Sequence, residues 1–168
     1  MEIFTTYHDS PLGELEISGT EEFLTSILFV ETKKKPSPRK PATEYVPQVI
    51  KDYIFQIEEY FAGKRKGFDL QFQHKGTDFQ RIVWRELENI PFGKTISYLE
   101  LSRRIGNEKA IRAVGTTNGL NQFNIIVPCH RVIGSDGSLV GYGGDLWRKK
   151  WLLEHEARVL GNYQTSLF

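Results

Sequence analysis

The spacing of apolar residues changes part-way along the chain, near Gly76 and Thr77. Before this point apolar and polar residues partly alternate, in short runs rich in Ile, Leu, Phe and Thr that end at turn residues. Such runs are typical of strands in an antiparallel sheet. The alternation predicts three strands, over residues 2–6, 13–18 and 23–30.

After the change, apolar residues recur three and four positions apart, which is the period of a helix with one buried face. The same period predicts one earlier helix over residues 46–61. We therefore expect an α+β fold with two lobes. The N-terminal lobe, residues 1–75, is a small antiparallel sheet with a helix, and the second lobe, residues 76–160, is mostly helical. Residues 161–168 are predicted to form a flexible tail.

Residues that commonly cap helices mark the helix starts in the second lobe. The candidate caps are Thr77 or Asp78, Ser97, Asn107 and Asp145. The helices predicted after them cover residues 79–89, 98–105, 108–117 and 146–159. The last helix is expected to carry Trp147, Trp151, Leu152 and His155 near one face. The apolar run over residues 125–127 predicts a buried strand.

The chain contains one cysteine among its 168 residues, so it forms no disulfide within itself. The paired cysteines of a structural zinc site are excluded for the same reason. The N-terminus lacks a basic segment followed by an apolar run, so we expect no signal peptide. No stretch reaches the roughly 18 apolar residues of a membrane span. These observations predict a cytoplasmic protein whose thiol is either buried filler or its reactive group.

Charge is distributed unevenly, although the net charge is only +1. Residues 1–75 carry 10 basic and 12 acidic side chains, whereas residues 76–168 carry 12 and 9. Between Lys94 and Arg131 there are six basic residues and two acidic ones. This excess is compatible with a surface for a polyanion and equally with an ordinary solvated face. The basic, proline-rich segment Lys33–Pro41 predicts an exposed loop that either contacts phosphates or has no special role.

Two short predicted helices, over residues 98–105 and 108–117, are joined by a tight turn at Gly106 and Asn107. This arrangement is that of a helix-turn-helix. The second helix carries Lys109 and Arg112 on one face. The pattern is compatible with DNA binding and also with a helical hairpin that binds no DNA.

The single cysteine, Cys129, lies between a proline and the pair His130–Arg131. A thiol becomes a nucleophile when it ionises, and basic neighbours favour ionisation. His130 could accept the thiol proton directly or through one water, and Glu156 could orient the imidazole. The other interpretation makes Cys129 a small buried hydrophobe, His130 a loop histidine and Glu156 a solvated carboxylate.

The segment Ile126–Val132 (IVPCHRV) resembles the active-site signature of the O6-alkylguanine-DNA alkyltransferases. Three more segments resemble this family in the same order: the stretch before its winged-helix-like helix-turn-helix, its recognition helix and its closing helix. They are Gly93–Tyr98 (GKTISY), Ala110–Gly115 (AIRAVG) and Trp151–Glu156 (WLLEHE). The resemblance covers about residues 76–157, and residues 1–75 match only the general style of a ribonuclease-H-like lobe.

The resemblance implies a catalytic role for five residues. Cys129 would be the alkyl acceptor, with His130 as a water-mediated base and Glu156 orienting it. Tyr98 would help to rotate the nucleotide and would hydrogen-bond the base. Asn121 would brace the turn between the recognition helix and the active-site strand.

The resemblance also implies residues that bind DNA and the extruded base. Arg112 would enter the duplex stack in place of the flipped nucleotide, and the small residues Ala113 and Gly115 would fit the minor groove. Tyr98 and Arg131 would complete the DNA-binding set. The wall of the base pocket would consist of Val132, Tyr142, Gly143 and Gly144. Carbonyls of Cys129 and Val132 would accept from the guanine amine.

The implied activity is direct-reversal DNA repair. A methyl or larger alkyl group would pass irreversibly from O6 of guanine, and also from O4 of thymine, to Cys129. The partner would be double-stranded DNA bound by a monomer, with no metal and no organic cofactor. Three positions depart from the family near the pocket: Gln122 and Asn124 stand where proline is frequent, and Gly143 stands where some members have serine.

Three other functions are considered for this chain. A non-enzymatic lesion binder of the same fold is disfavoured because such relatives replace the cysteine. A cysteine hydrolase using Cys129, His130 and Glu156 would not need Arg112. A transcription factor using the helix pair alone would leave the glycine-rich segment around Tyr142 unexplained.

Overall fold

The computed structural model of the chain describes residues 1–33 and 39–161, which form two compact units. The first unit contains residues 1–74 together with residues 122–124, and the second contains residues 75–121 and the chain from residue 125 onward. Most of the predicted tail lies outside the described residues, and so does the middle of the basic loop. None of the described helices is long and apolar enough to cross a membrane.

The first unit is built on a three-stranded antiparallel sheet in the order β1-β2-β3. The strands are β1 (Phe4–Ser10), β2 (Gly13–Gly19) and β3 (Leu24–Phe29). Leu15, Ile17 and Ile27 alternate with partly exposed residues and are completely buried. The prediction of an antiparallel sheet is confirmed. Strand β1 extends beyond residue 6, because Tyr7 to Ser10 continue the pairing with β2.

A single helix, α1 (Gln48–Phe61), packs with this sheet. Its buried residues Ile50, Tyr53, Ile57 and Tyr60 recur at the spacing from which the helix was predicted. The helix begins two residues later than expected. Pro47, whose backbone is extended, stands at its N-cap.

Residues 122–124 join the edge strand β3, although they lie far along the chain. The Ile27 N–H donates to the Gln122 carbonyl at 2.8 Å, and the Asn124 N–H donates to the Ile27 carbonyl at 3.1 Å. The Asn124 side chain donates to the same carbonyl at 3.0 Å. A proline at residue 124 would lack this N–H. The departure noted in the sequence therefore has a structural role in this unit.

The apolar run over residues 125–127 is buried, as predicted, but it does not form a strand. These residues form a turn, and Ile125 has a φ of +76°. A β-branched residue adopts this left-handed conformation only at an energetic cost. The chain needs the reversal here because residues 122–124 belong to the first unit and the residues that follow belong to the second.

The second unit is mostly helical. Its helices are α2 (Asp78–Leu87), α3 (Tyr98–Arg104), α4 (Ile111–Gly119) and α5 (Leu146–Val159). A short parallel pair, β4 (Ile96–Ser97) with β5 (Val132–Ile133), was not predicted. Trp84 of α2 is almost completely buried and donates from its ring N–H to the Thr117 carbonyl of α4 at 2.9 Å.

Two of the predicted cap residues stand at an N-cap position but do not cap through their side chains. The Asn107 side chain makes no capping hydrogen bond, and a 3₁₀ turn (Glu108–Ala110) precedes α4. The Asp145 side chain does not cap α5 either, and its φ is +70°. Ser97 does cap α3, since its hydroxyl accepts from the Glu100 N–H at 3.0 Å.

Thr77 caps α2 in a reciprocal arrangement that gives a direct test of helix stability. Its hydroxyl accepts from the Gln80 N–H at 3.1 Å, and the Gln80 side chain accepts from the Thr77 N–H at 3.0 Å. Thr77→Ala should lower the free energy of unfolding by about 1 kcal/mol. Urea unfolding followed by circular dichroism measures this change. Thr77→Ser keeps the hydroxyl and is the control, and an equal loss in both variants would contradict the capping role.

Candidate active site

Cys129 begins a 3₁₀ turn (Cys129–Arg131) in the second unit, and only 2% of its surface is exposed. The Asn121 side-chain amide donates to the Cys129 Sγ at 3.2 Å and to the Val127 carbonyl at 2.9 Å. The Asn118 amide donates to the Cys129 carbonyl at 3.2 Å. The geometry agrees with the bracing role expected of Asn121. Asn118 was not identified from the sequence.

Burial raises the pKa of the Cys129 thiol to about 11, although the Asn121 amide and the positive charge of Lys149 oppose the rise. At neutral pH the group is therefore a thiol. A protonated thiol is a poor nucleophile, so the site needs a proton acceptor before Cys129 can react.

The acceptor expected from the sequence, His130, is completely buried and bonded to Glu156. The His130 Nε2 lies 2.8 Å from the Glu156 Oε2. Burial lowers the pKa of His130. A carboxylate only accepts hydrogen bonds, so in the neutral ring Nε2 carries the hydrogen and Nδ1 has a free lone pair. Nδ1 is buried and bonded to no described residue.

The Glu156 carboxylate also accepts hydrogen bonds from two further residues. The Arg131 guanidinium donates to both carboxylate oxygens, at 2.9 Å and 3.0 Å. The Gly93 N–H donates to Oε1 at 3.0 Å. Burial by itself would raise the pKa of Glu156, but His130 and Arg131 outweigh it and hold this pKa far below its usual range. Glu156 is therefore ionised, and its Oε2 accepts the hydrogen bond from the His130 ring.

Arg131 is not placed for the DNA contact expected of it. Only 6% of its surface is exposed, and its remaining amino group donates to the Ile90 carbonyl at 2.7 Å. The expected DNA contact is therefore replaced by a structural role. A carboxylate buried at Glu156 requires a cation beside it, and Arg131 supplies that cation.

Gly93, the first residue of the segment GKTISY, was not expected to take part in the site. Its φ is +76°, and an added Cβ would collide with the Leu160 side chain. Glycine is therefore needed both for the backbone conformation and for the close approach that lets its N–H reach Glu156.

Tyr98, a further residue expected in the site, is the first residue of α3. Its hydroxyl donates to the Val140 carbonyl at 2.7 Å, and an added Cβ at Gly141 would come within 2.6 Å of the hydroxyl oxygen. Burial raises the pKa of Tyr98 to about 12, so the group is a neutral donor. In this structure the hydroxyl is bonded to the chain itself, and it would turn from Val140 in order to bond a base.

Lys149 is a buried cation that sequence analysis missed. Its ammonium donates to the Val140 carbonyl at 2.7 Å and lies 3.4 Å from the Tyr98 hydroxyl. Burial lowers the pKa of Lys149 to about 8. Lys149 is therefore still largely protonated at neutral pH.

The predicted orientation of the last helix is wrong in part. Trp147 is half exposed, and the buried residues of α5 include Lys149, Leu152, Leu153 and Glu156. These four follow the three-and-four spacing of one helix face, so the sequence contained the signal. Lys149 was missed because a lysine in a helix is usually solvated.

The expected pocket residues lie in the second unit. Tyr142 and Gly144 are buried, Gly143 is half-buried, and Val132 is completely buried where β5 pairs with Ile96. Within the described part of the chain, no three His, Cys, Asp or Glu side chains cluster as the ligands of a metal ion would.

The helix-turn-helix residues lie at the surface. Arg112 and Ala113, near the start of α4, are exposed, and so is Lys109 just before it. Gly115 is half-buried, and an added Cβ would lie 3.9 Å from the Tyr98 ring. Helix α4 therefore packs beside Tyr98, the first residue of α3.

Comparison with known proteins agrees with both units. Residues 3–74 match the ribonuclease-like domain of 6-O-methylguanine DNA methyltransferase, and residues 78–158 match its DNA-binding domain. The chain belongs to the 6-O-methylguanine DNA methyltransferase family. The resemblance on which the sequence interpretation depended is therefore confirmed, and so is the α+β fold.

Several relatives in this family are similar over nearly their whole length. The methylated-DNA–protein-cysteine methyltransferase of Mycolicibacterium paratuberculosis is 46% identical over 89% of this chain and 90% of its own. The one from Methanosarcina acetivorans is 43% identical over 88% and 94%. The crystal structure of Mycobacterium tuberculosis O6-methylguanine methyltransferase aligns with a TM-score of 0.84 and 40% identity, covering 99% of this chain and 98% of that one. A structure of the M. tuberculosis protein in complex with DNA aligns with a TM-score of 0.81 and 41% identity, covering 95% and 94%.

The buried carboxylate of Glu156 should dominate the stability of the second unit. Glu156→Gln leaves the Arg131 cation buried without its counter-charge, which should lower the free energy of unfolding at pH 7 by about 3–5 kcal/mol. Glu154→Gln is the control. That carboxylate is partly exposed and lies 3.9 Å from Lys150, so its loss should cost less than about 0.5 kcal/mol. Urea unfolding of both variants separates the two cases.

The pH dependence of unfolding gives a second test of the same carboxylate. Because the folded pKa of Glu156 is depressed, its contribution is complete above the unfolded carboxyl pKa of about 4.3 and is lost as the pH falls below it. The unaltered protein should therefore lose stability more steeply than Glu156→Gln on acidification through this range. Parallel curves would show that Glu156 is not held ionised in the folded state.

Proposed function

We propose that this protein repairs alkylated DNA by transferring the alkyl group to its own Cys129. The observation that carries the proposal is the buried thiol, which Asn121 holds in the same 3₁₀ turn as a neutral His130 bonded to an ionised Glu156. The substrate is O6-alkylguanine in double-stranded DNA, with O4-alkylthymine as a further substrate. Relatives throughout the family are named for the same transfer to a protein cysteine.

The proposed step is a displacement at the alkyl carbon. The thiol proton of Cys129 passes to the His130 Nδ1, directly or through one water, and Glu156 stabilises the imidazolium that forms. The thiolate forms the S–C bond as the bond from that carbon to O6 breaks. In the overall balance the released guanine gains the proton that the thiol gave up. Tyr98 donates toward the base as negative charge develops on it.

The product of this step explains why the reaction would stop after one turnover. The product is a thioether, and no described group is placed to break its C–S bond. The protein is therefore both catalyst and final acceptor, and the transfer needs no cofactor. We propose that it acts as a monomer.

The reacting carbon lies on a base edge inside the duplex, so the nucleotide has to be extruded first. The exposed Arg112 is the side chain proposed to occupy the vacated space, with Ala113 and Gly115 allowing α4 to approach the minor groove. Val132, Tyr142, Gly143 and Gly144 are proposed to receive the base. Phosphate contacts from basic residues would supply affinity without sequence preference.

We also propose a role for the C-terminal lobe and a cellular location for the protein. Residues 76–160 are the lobe for DNA binding and alkyl transfer, and residues 1–75 are a separate lobe. The cytoplasm is the proposed location, because a reducing compartment keeps a reactive thiol free.

A cysteine hydrolase is the second function that this site could suggest. Hydrolases of that kind depend on a thiolate with a depressed pKa, whereas burial raises the pKa of Cys129. The raised pKa therefore favours a single displacement in which a base removes the thiol proton.

The transfer is tested by weighing the intact protein after incubation with duplex DNA that carries one O6-methylguanine. We expect a gain of one CH₂ on the peptide that contains Cys129, with one equivalent transferred per chain. Cys129→Ser should gain nothing and should bind the same duplex. Repeated turnovers, or a CH₂ on another peptide, would disprove the proposal.

The flipping role of Arg112 predicts a substrate-dependent loss. Arg112→Ala should slow transfer from duplex DNA by at least about tenfold, because the vacated stack is no longer filled. It should leave the reaction with free O6-benzylguanine nearly unchanged, since a free base needs no extrusion. Lys109→Ala, which removes a neighbouring exposed cation, is the matched control. Equal losses on both substrates would remove Arg112 from this role.

A further inference from the structure

Two consecutive basic residues of α5, Arg148 and Lys149, are buried although no function described above uses them as cations. Their exposed fractions are 3% and 0%. Burying an ion costs several kcal/mol unless the surroundings compensate it, and an apolar side chain would avoid that cost. Lys150, the next residue, shows the usual behaviour, since half of its side chain is exposed. The two buried cations therefore need an explanation.

Arg148 holds one end of the glycine-rich segment 140–145. Its guanidinium donates to the Gly144 carbonyl at 3.2 Å and lies 3.5 Å from the Asp145 carboxylate. Asp145 has a φ of +70°, a conformation that costs a non-glycine residue free energy. The ion pair with Arg148 and the bond to Gly144 hold this strained position. The guanidinium also lies 4.6 Å from the Trp147 ring centroid.

Lys149 holds the other end of the same segment. Its ammonium and the Tyr98 hydroxyl both donate to the Val140 carbonyl, each at 2.7 Å. Between the two held carbonyls lie Gly141, Tyr142 and Gly143, which form no helix or strand. A segment with two glycines in a row of three has many accessible conformations unless its ends are fixed.

The segment so held is the one proposed above to form the pocket wall around the flipped base. We propose that Arg148 and Lys149 clamp both ends of residues 140–144 and thereby set how large an alkyl group the site accepts. They are positioning residues, and they act through the segment and not on the substrate. This inference rests on the proposed function, because it concerns the wall of that same pocket.

The clamp predicts a change in selectivity and not only a loss of activity. When the wall is released, a small methyl group loses its close fit, whereas a bulky group gains room. Arg148→Met should slow transfer of methyl from duplex O6-methylguanine by about tenfold, as expected for a misplaced substrate. Transfer of benzyl from duplex O6-benzylguanine should fall much less, so the ratio of the benzyl rate to the methyl rate should rise at least about fivefold.

Four variants separate the clamp from general damage. Arg148→Lys keeps the charge but loses the planar guanidinium, whose Nη1 contacts both the Gly144 carbonyl and the Asp145 carboxylate. Asp145→Gly removes the side chain with its carboxylate and adopts the positive φ without steric cost. Lys149→Met releases the other end, and Lys150→Met is the control that changes an exposed cation on the same helix.

The measurement is the rate constant of single-turnover transfer from each duplex, together with the thermal midpoint of each variant. A raised benzyl-to-methyl ratio in Arg148→Met, Asp145→Gly and Lys149→Met, with no change in Lys150→Met, supports the clamp. Equal slowing on both duplexes would show a merely structural role and overturn it. If Arg148→Met does not fold, Asp145→Gly and Arg148→Lys decide the question by the same ratio. Failure of the unaltered protein to transfer any group would instead refute the proposed function.

Discussion

The completely buried carboxylate of Glu156 accepts four hydrogen bonds, from His130, from two nitrogens of Arg131 and from the Gly93 backbone. These donors belong to two segments that are distant from α5 in the sequence. A charge in the interior is tolerated only when every acceptor site is satisfied and a counter-ion is present. The carboxylate therefore fixes the position of the 3₁₀ turn that follows Pro128, and with it the position of the thiol.

The same interaction decides how the thiol is activated. Because the carboxylate occupies the Nε2 side of the His130 ring, the Nδ1 side is left to receive a proton. The raised pKa of Cys129 then has a functional meaning. The thiol stays protonated until its proton passes to the base as the substrate reacts. Burial thus protects the only cysteine of the chain from other electrophiles, which suits a group that can be used once.

Buried charged residues of α5 contact both the 3₁₀ turn that carries His130 and the glycine-rich segment 140–145. Glu156 orients the proton acceptor near its end, and Arg148 and Lys149 face the segment 140–145 near its start. Glu156 bonds residues from two distant segments, whereas Arg148 and Lys149 bond carbonyls of the segment just before the helix. An apolar core alone would pack these elements but would not choose one position for a glycine-rich segment.

Much of this could be predicted from local sequence. The alternation around Leu15 and Ile17 predicted the sheet, and the caps Thr77 and Ser97 were identified from residue type and spacing. These features depend on neighbours along the chain. The strand predicted over residues 125–127 was wrong, since an apolar run alone does not show that the backbone must reverse at Ile125.

The sequence by itself determined which groups are available: one thiol, a histidine beside it, a helix-turn-helix with an exposed arginine, and four motifs that carry a family resemblance. Only the tertiary structure decided what these groups face. Arg131, which was expected to contact DNA, is instead the counter-ion of Glu156, and Lys149 lies in the interior beside Tyr98. The physical reason is that burial and charge pairing depend on residues far apart in the chain, and local spacing does not encode those distances.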